Sequence, residues 1–191
     1  TDYLFAPAIS GNGTVNVLAG TTILTVANSY TGATTLSAGV LDVTGSLGNT
    51  AVTVGNLATL AGTGSIAGAV TIASGGMLMP GNGAPGTITV GPLALNAGSF
   101  LSYQLGTPNV IGGPTNDLTI VNGALTLNGD SLFVTNSGGF GPSTYRLVNY
   151  TGALGGSGQI IGSLPDGDIG TIQTSIAGEV NLIVSAPPPS T

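Results

Sequence analysis

Eight side chains carry formal charge in this chain of 191 residues, and they bound the chemistry it could attempt. Asp166-Gly167-Asp168 is the one close carboxylate pair. Such a pair could serve as two calcium ligands or as an acid/base dyad. Pro165 stands before it, however, and Pro-Asp-Gly is turn chemistry. Two carboxylates also fall short of the roughly six to eight oxygens that calcium takes, and the Gly-Gly-x-Gly-x-Asp calcium repeat is absent. Asp117 is expected just before a strand and Asp130 in a turn beside Gly129, both as structural acids. Arg146, the single cation, lies in the alternating run Thr144-Tyr145-Arg146-Leu147-Val148 and is expected to point outward as a solubilising charge. Tyr103, Tyr145 and Tyr150 could stack on sugar rings, but core or cap packing accounts for them more simply. Gly81-Asn82-Gly83 and Gly138-Gly139 imitate phosphate loops, yet neither opens a helix, so both read as turns. Outward threonines could bind ice or glycans, but Thr-x-Thr stands out only at Thr87-Ile88-Thr89, which predicts no ranked array.

What is missing is as informative. The chain has no Lys, His, Cys or Trp. Without His or Cys there is no imidazole base, thiol nucleophile, Ser-His-Asp triad or zinc finger. Without Lys there is no Schiff base and no P-loop lysine. A formal net charge of −6 with one cation excludes an electrostatic grip on nucleic acid or anionic lipid. No cofactor, no metal site and no catalytic residue is expected. No apolar run approaches the roughly 18 residues of a membrane helix. No basic, then apolar, leader opens the chain, so Thr1 is expected to begin a processed or excised piece. Hydrophobic residues make up 41% of the chain and charged residues 4%, the reverse of a disordered composition.

The elements that must carry these residues are set by repetition. Val15-Asn16-Val17, Thr34-Thr35-Leu36, Val52-Thr53-Val54, Val70-Thr71-Ile72, Leu93-Ala94-Leu95 and Leu125-Thr126-Leu127 are short alternating triplets. Their last residues step by 19, 18, 18, 23 and 32, the last two steps leaving room for inserted loops. Each triplet is followed by a small polar or Gly-containing turn and a second apolar segment. These segments are Thr22–Val26, Val40–Val43, Leu57–Leu60, Met77–Met79, Phe100–Leu105 and Leu132–Val134. The period of two is that of a strand. Gly20, Gly39, Gly75 and Gly98 recur three residues past a triplet, where a turn can need positive φ. A strand–turn–strand unit this short cannot bury its apolar side alone, so the units must stack.

The predicted fold is therefore all-β, a right-handed parallel β-helix (a solenoid) with a C-terminal capping region. At ~4.8 Å per coil, about eight or nine coils would make a rod some 40 Å long. Residues 1–105 are expected as repeat coils, 106–185 as the stem and cap of the same solenoid, and 186–191 as a Pro-rich linker. Val54 is expected to face inward. Six of the nine aromatic residues lie from Phe100 onward, which predicts a wider, better-packed closing region.

Three stretches resemble the autotransporter-associated β-strand repeat of bacterial type V secreted passengers. They are Asn28-Ser29-Tyr30-Thr31-Gly32-Ala33-Thr34-Thr35-Leu36 with Ala38-Gly39-Val40-Leu41, then Leu60-Ala61-Gly62-Thr63-Gly64-Ser65-Ile66, then Met79-Pro80-Gly81-Asn82-Gly83-Ala84-Pro85-Gly86-Thr87-Ile88-Thr89-Val90. The continuation through Gly139-Phe140-Gly141-Pro142-Ser143-Thr144-Tyr145-Arg146-Leu147 is similar to the stem that precedes the membrane barrel in such proteins. The resemblance implies a β-helical stalk that is secreted or held at the bacterial cell surface, with C-terminal coils that help the passenger fold after export. The family repeat carries no catalytic residues, so none transfer. The 191 residues hold no series of alternating segments of about ten residues, the mark of a membrane barrel, so attachment and export rest on the resemblance.

The function expected is non-enzymatic: an extracellular β-helical passenger segment serving as a cell-surface stalk or adhesin-type module. A self-assembling fibre or surface-layer subunit, stacking end to end through open coil edges, is the alternative. A glycan-active β-helix enzyme comes third, since lyases need a base and hydrolases paired carboxylates, and no acids recur at the coil period. Expected partners are a host or neighbouring-cell surface, glycans, or further copies of the chain. Neither nucleic acid nor a direct membrane span is expected.

Overall fold

Alternation of apolar and small polar residues makes each of the six triplets a strand, and in the computed structural model, which describes residues 2–188, the six lie on top of one another. Val15 pairs with Thr34, Thr34 with Val52, Val52 with Val70, Val70 with Leu93 and Leu93 with Leu125, all parallel. This first ladder is the register the repeat predicts. A second parallel ladder runs through Asp2–Phe5, Thr21–Leu24, Gly39–Val43, Ala58–Gly62, Met77–Pro80 and Phe100–Leu105. The long strand Leu125–Asn136 belongs to both ladders, its start pairing with Leu93–Leu95 and its end with Phe100–Leu105. The two faces thereby form one sheet.

The solenoid has a third face that the repeat did not predict. It consists of Ala27–Asn28, Ser46–Leu47, Ser65–Ile66, Thr87–Val90, Leu118–Val121 and Ser143–Tyr150. Two residues are too few to show a period of two, so the first three of these strands read as turn. The fold is the expected parallel β-solenoid, with three strands per coil rather than two. Six coils begin with one of the triplets, and Asp2–Phe5 at one end and Leu154–Ser163 at the other add a partial coil each, so the second ladder is eight strands deep; the wide steps hold loops. The loops, at residues 81–86 and 106–117, interrupt the fourth and fifth coils.

Inward columns make a continuous core. Val17, Leu36, Val54, Ile72, Leu95 and Leu127 stack on the first face, and Leu41, Leu60, Leu78, Leu101 and Leu132 on the second. Leu47, Ile66, Val90 and Val121 do the same on the third. Val54 is fully buried, as its position in the repeat predicts. Removing this apolar surface from water is the main stabilising term, about 25 cal/mol per Å². Asn28 stands at the N-terminal end of the third column and is buried. It accepts from the Ile9 N–H at 2.9 Å and donates to the Val26 carbonyl at 2.8 Å, so a polar side chain closes the apolar column with its hydrogen bonds made.

At one corner the coil spacing leaves no room for a side chain. Gly39 has φ 82, and a Cβ there would overlap the Gly20 carbonyl of the coil beneath. The corresponding turn of the third coil holds Leu57 at φ 63, its side chain 78% exposed.

The C-terminal end changes from parallel to antiparallel pairing. Leu154–Ser163 still lies parallel on the long strand, with register shifts along the way. After a single turn of 3-10 helix at Pro165–Gly167, Ile169–Gln173 and Glu179–Ser185 form a hairpin. Glu179–Ser185 pairs antiparallel with Ser143–Tyr150 and so caps the third face. The closing strand is not the better-packed element expected. Leu154–Ser163 is exposed along much of its length and carries Gly155, Gly156, Gly158 and Gly162. Within the expected linker, Pro189, Ser190 and Thr191 lie outside the described residues, as does Thr1.

Candidate functional site

Asp117 lies just before a strand, as expected, whereas Asp130 lies within a strand rather than in a turn, and both are buried. Asp117 is fully buried at the start of the third-face strand Leu118–Val121. Its Oδ1 accepts from the Gly86 N–H at 2.7 Å and its Oδ2 from the Gln104 N–H at 2.6 Å. The carboxylate thus ties the base of one inserted loop to the second face. Burial outweighs those two bonds and pushes its pKa up to about 7. Asp130 is also fully buried and lies inside the long strand, not in a turn. Gln159 donates to its Oδ2 at 2.6 Å, and burial pushes its pKa up to about 6. Such values would suit a general acid, but neither carboxyl is open to solvent, so no substrate can reach them.

The remaining acids follow local structure. Asp166 is exposed at φ 56 in the Pro165–Gly167 turn, and the Asp168 N–H closes that turn on the Pro165 carbonyl at 3.0 Å. Asp42 is buried on the second face by Asn82, which folds over it and donates to Oδ2 at 2.8 Å. Gly81-Asn82-Gly83 is therefore a turn that covers a strand, and Gly138-Gly139 a turn with φ 119 and 86. Among the described residues no group of three or more His, Cys, Asp or Glu side chains gathers to hold a metal. Nor is any helix there long and apolar enough to cross a membrane.

The tyrosines point inward. Tyr103 and Tyr145 are fully buried and Tyr150 is half-buried against the core. Tyr103 shares a 2.6 Å hydrogen bond with the Thr119 hydroxyl and donates to the Leu147 carbonyl at 3.1 Å. Tyr145 stacks on Phe140, ring centroids 4.9 Å apart. Neither Tyr103 nor Tyr145 offers a face for sugar stacking. Threonines, by contrast, are ranked after all. Thr35, Thr53, Thr71 and Thr126 fall in one outward column of the first face, with Asn16 and Ala94 completing it. Their spacing in sequence hid a column that exists only across coils.

Arg146 corrects the expectation of a free outward charge. Its side chain is 16% exposed and its Nη2 lies 2.6 Å from Glu179 Oε2. Nε donates to Asn181 Oδ1 at 2.7 Å and Nη1 to Asn149 Oδ1 at 2.6 Å. Asn181 in turn donates to Gln173 at 3.1 Å. The antiparallel register places Asn181 opposite Arg146, which sequence separation gave no means of seeing.

This network floors a cleft of about 170 Å³ between the cap sheet and the second inserted loop, lined by Asn109, Val110, Ile111, Thr144, Arg146 and Asn181. The loop wall is held in shape from within. Buried Asn116 accepts from the Gly106 N–H at 2.7 Å and donates to the carbonyls of Thr107 and Val110 at 2.7 and 2.8 Å. Asn109 sits at the loop's bend with φ 58, and Val110 and Ile111 are 39% and 56% exposed. A second opening of about 330 Å³, lined by Leu127, residues 154–158 and Thr174, is mostly glycine backbone and carries no charged group. The first cleft is the more structured of the two.

No family model matches the chain. A curated protein described as Adhesin BmaC autotransporter, from Brucella suis biovar 1 (strain 1330), is 53% identical over 90 residues. The matched segment covers 47% of this chain but only 3% of that protein's length. Identity of that order over 90 residues supports common descent with a secreted or cell-surface protein. Over just under half its length, this chain is similar to a protein described as an autotransporter adhesin.

Proposed function

We propose that the chain is a non-catalytic, extracellular β-helical passenger segment that acts as a cell-surface stalk with an adhesin-type face. Its kinship with an autotransporter adhesin carries this reading. The architecture supports it: a stacked solenoid gives length and a rigid outer surface without any need for catalytic groups. The two carboxyls with raised pKa are sealed in the core, and the sole cation is bound to its own Glu179. We read the described residues up to 105 as repeat coils and 106–185 as the stem and cap of the same solenoid.

The test is display of the chain on a non-adherent bacterium through an unrelated outer-membrane anchor. Attachment to host or neighbouring bacterial cells above that of the anchor alone is the expected result; equal attachment would refute the adhesin reading. Incubation of the purified chain with a broad panel of polysaccharides should release no reducing ends.

A further inference from the structure

We propose that the cleft beneath the second inserted loop is a binding site for one neutral pyranose unit of a surface glycan. The inference deepens the adhesin reading and rests on it for its biological setting, though not for its chemistry. Three observations carry it. First, the site is built: Asn116 spends three hydrogen bonds, from a buried position, on holding the loop 107–110 over the cap sheet. Second, its polar groups have capacity to spare. Among the described residues the Asn109 amide and Thr144 hydroxyl take no side-chain hydrogen-bond partner. The Arg146 guanidinium uses one bond on each of its three nitrogens out of five N–H donors. The amide and the hydroxyl can each meet a sugar hydroxyl as donor or acceptor, and the guanidinium can donate to one. Val110 and Ile111 offer the opposite wall an apolar patch for the ring's C–H face. Third, charge selects a neutral ligand. Glu179 at 2.6 Å cancels the one guanidinium, and the chain's net charge of −6 repels anions. A volume of about 170 Å³ suits one ring and is too short for an extended peptide.

The experiment is a titration of the ¹⁵N-labelled chain with the methyl glycosides of glucose, galactose and N-acetylglucosamine, with galacturonate and a neutral tetrapeptide as comparators. At least one neutral glycoside should shift the resonances of Asn109, Ile111, Thr144 and the Arg146 side chain. Asn109→Gly, which suits the positive φ, and Thr144→Val, which keeps the side-chain shape, should each weaken that binding by roughly tenfold with the thermal midpoint unchanged. No shift with any neutral glycoside, binding of galacturonate or the tetrapeptide alone, or undiminished binding by both variants would overturn the proposal. The two readings fail separately. Attachment by the displayed chain with no resonance shift from any neutral glycoside removes the glycan site and leaves the adhesin. Glycoside binding without attachment removes the adhesin and leaves the site.

Discussion

At the scale of single residues, the chain's few ionisable groups are spent on structure. Asp117 and Asp130 are carboxyls inside an apolar solenoid, and folding lifts them to about 7 and about 6. An unfolded carboxyl titrates near 3.9, so across the interval between, the folded chain holds protons that the unfolded chain releases. Their contribution to stability is therefore greatest below the unfolded value and is lost as pH climbs through about 6 and about 7. Urea midpoints measured from about pH 4 to about pH 8 should fall with rising pH across that window. Asp130→Asn, which can still accept from Gln159, should flatten the part of the slope near 6. A flat profile in the parent chain would mean that neither carboxyl is buried as described.

At the scale of elements, the turns and the cap pairing decide how well the coils hold. Gly20, Gly39, Gly75 and Gly98 meet the positive φ that the first-to-second face corner demands, whereas the third coil uses Leu57 at φ 63. A non-glycine residue in that region costs about 1–2 kcal/mol, and Leu57 recovers little through burial because it is exposed. Leu57→Gly should raise stability by about 0.5–1 kcal/mol, the gain being reduced by glycine's freedom in the unfolded chain. Equilibrium denaturation measures this directly. The cap strand Ser143–Tyr150 holds the one position that trypsin can cut, Arg146-Leu147. The pairing of Arg146 with Asn181, the Tyr103 hydroxyl on the Leu147 carbonyl and the Glu179 ion pair keep that bond closed. The native chain should remain intact in a trypsin time course in which the urea-unfolded chain is cut once, because cleavage tracks opening. Rapid cutting of the native chain would mean that the cap sheet is loose.

At the scale of the whole molecule, the solenoid is a stack in which each coil covers the one before it, and its last coil needs a cover of another kind. The antiparallel hairpin provides that cover on the third face, and Leu154–Ser163 provides it on the other two. A chain ending at Ala153 would leave the long strand Leu125–Asn136 and the inner row of Ser143–Tyr150 as open edges over a bare core. Open edges over an apolar core recruit other strands. The truncated chain should elute as large assemblies in size-exclusion chromatography with light scattering. A truncated chain that elutes as a monomer would show that the cap is dispensable.

Much of this could be seen in the residues alone. The triplets, their spacing and their register follow from alternation and repetition, which are local properties of the chain. The exclusion of whole classes of chemistry follows from residues that are absent, which no fold can supply. The inward place of Val54 and the positive φ at Gly39 belong to the same kind of knowledge. The third face escaped because two residues carry no period. Asp130 read as a turn residue because Gly129 precedes it, while the stacking of Gln159 over it is a contact between coils. Arg146 looked free because its partners Asn181 and Glu179 arrive from a hairpin whose direction depends on where the chain reverses. The cleft came from neither composition nor motif: a loop of the fifth coil and a cap sheet more than thirty residues later were brought side by side by tertiary packing. Pairing within and between repeats is encoded at short range, and the contacts that shape a site are made between segments whose separation only folding removes.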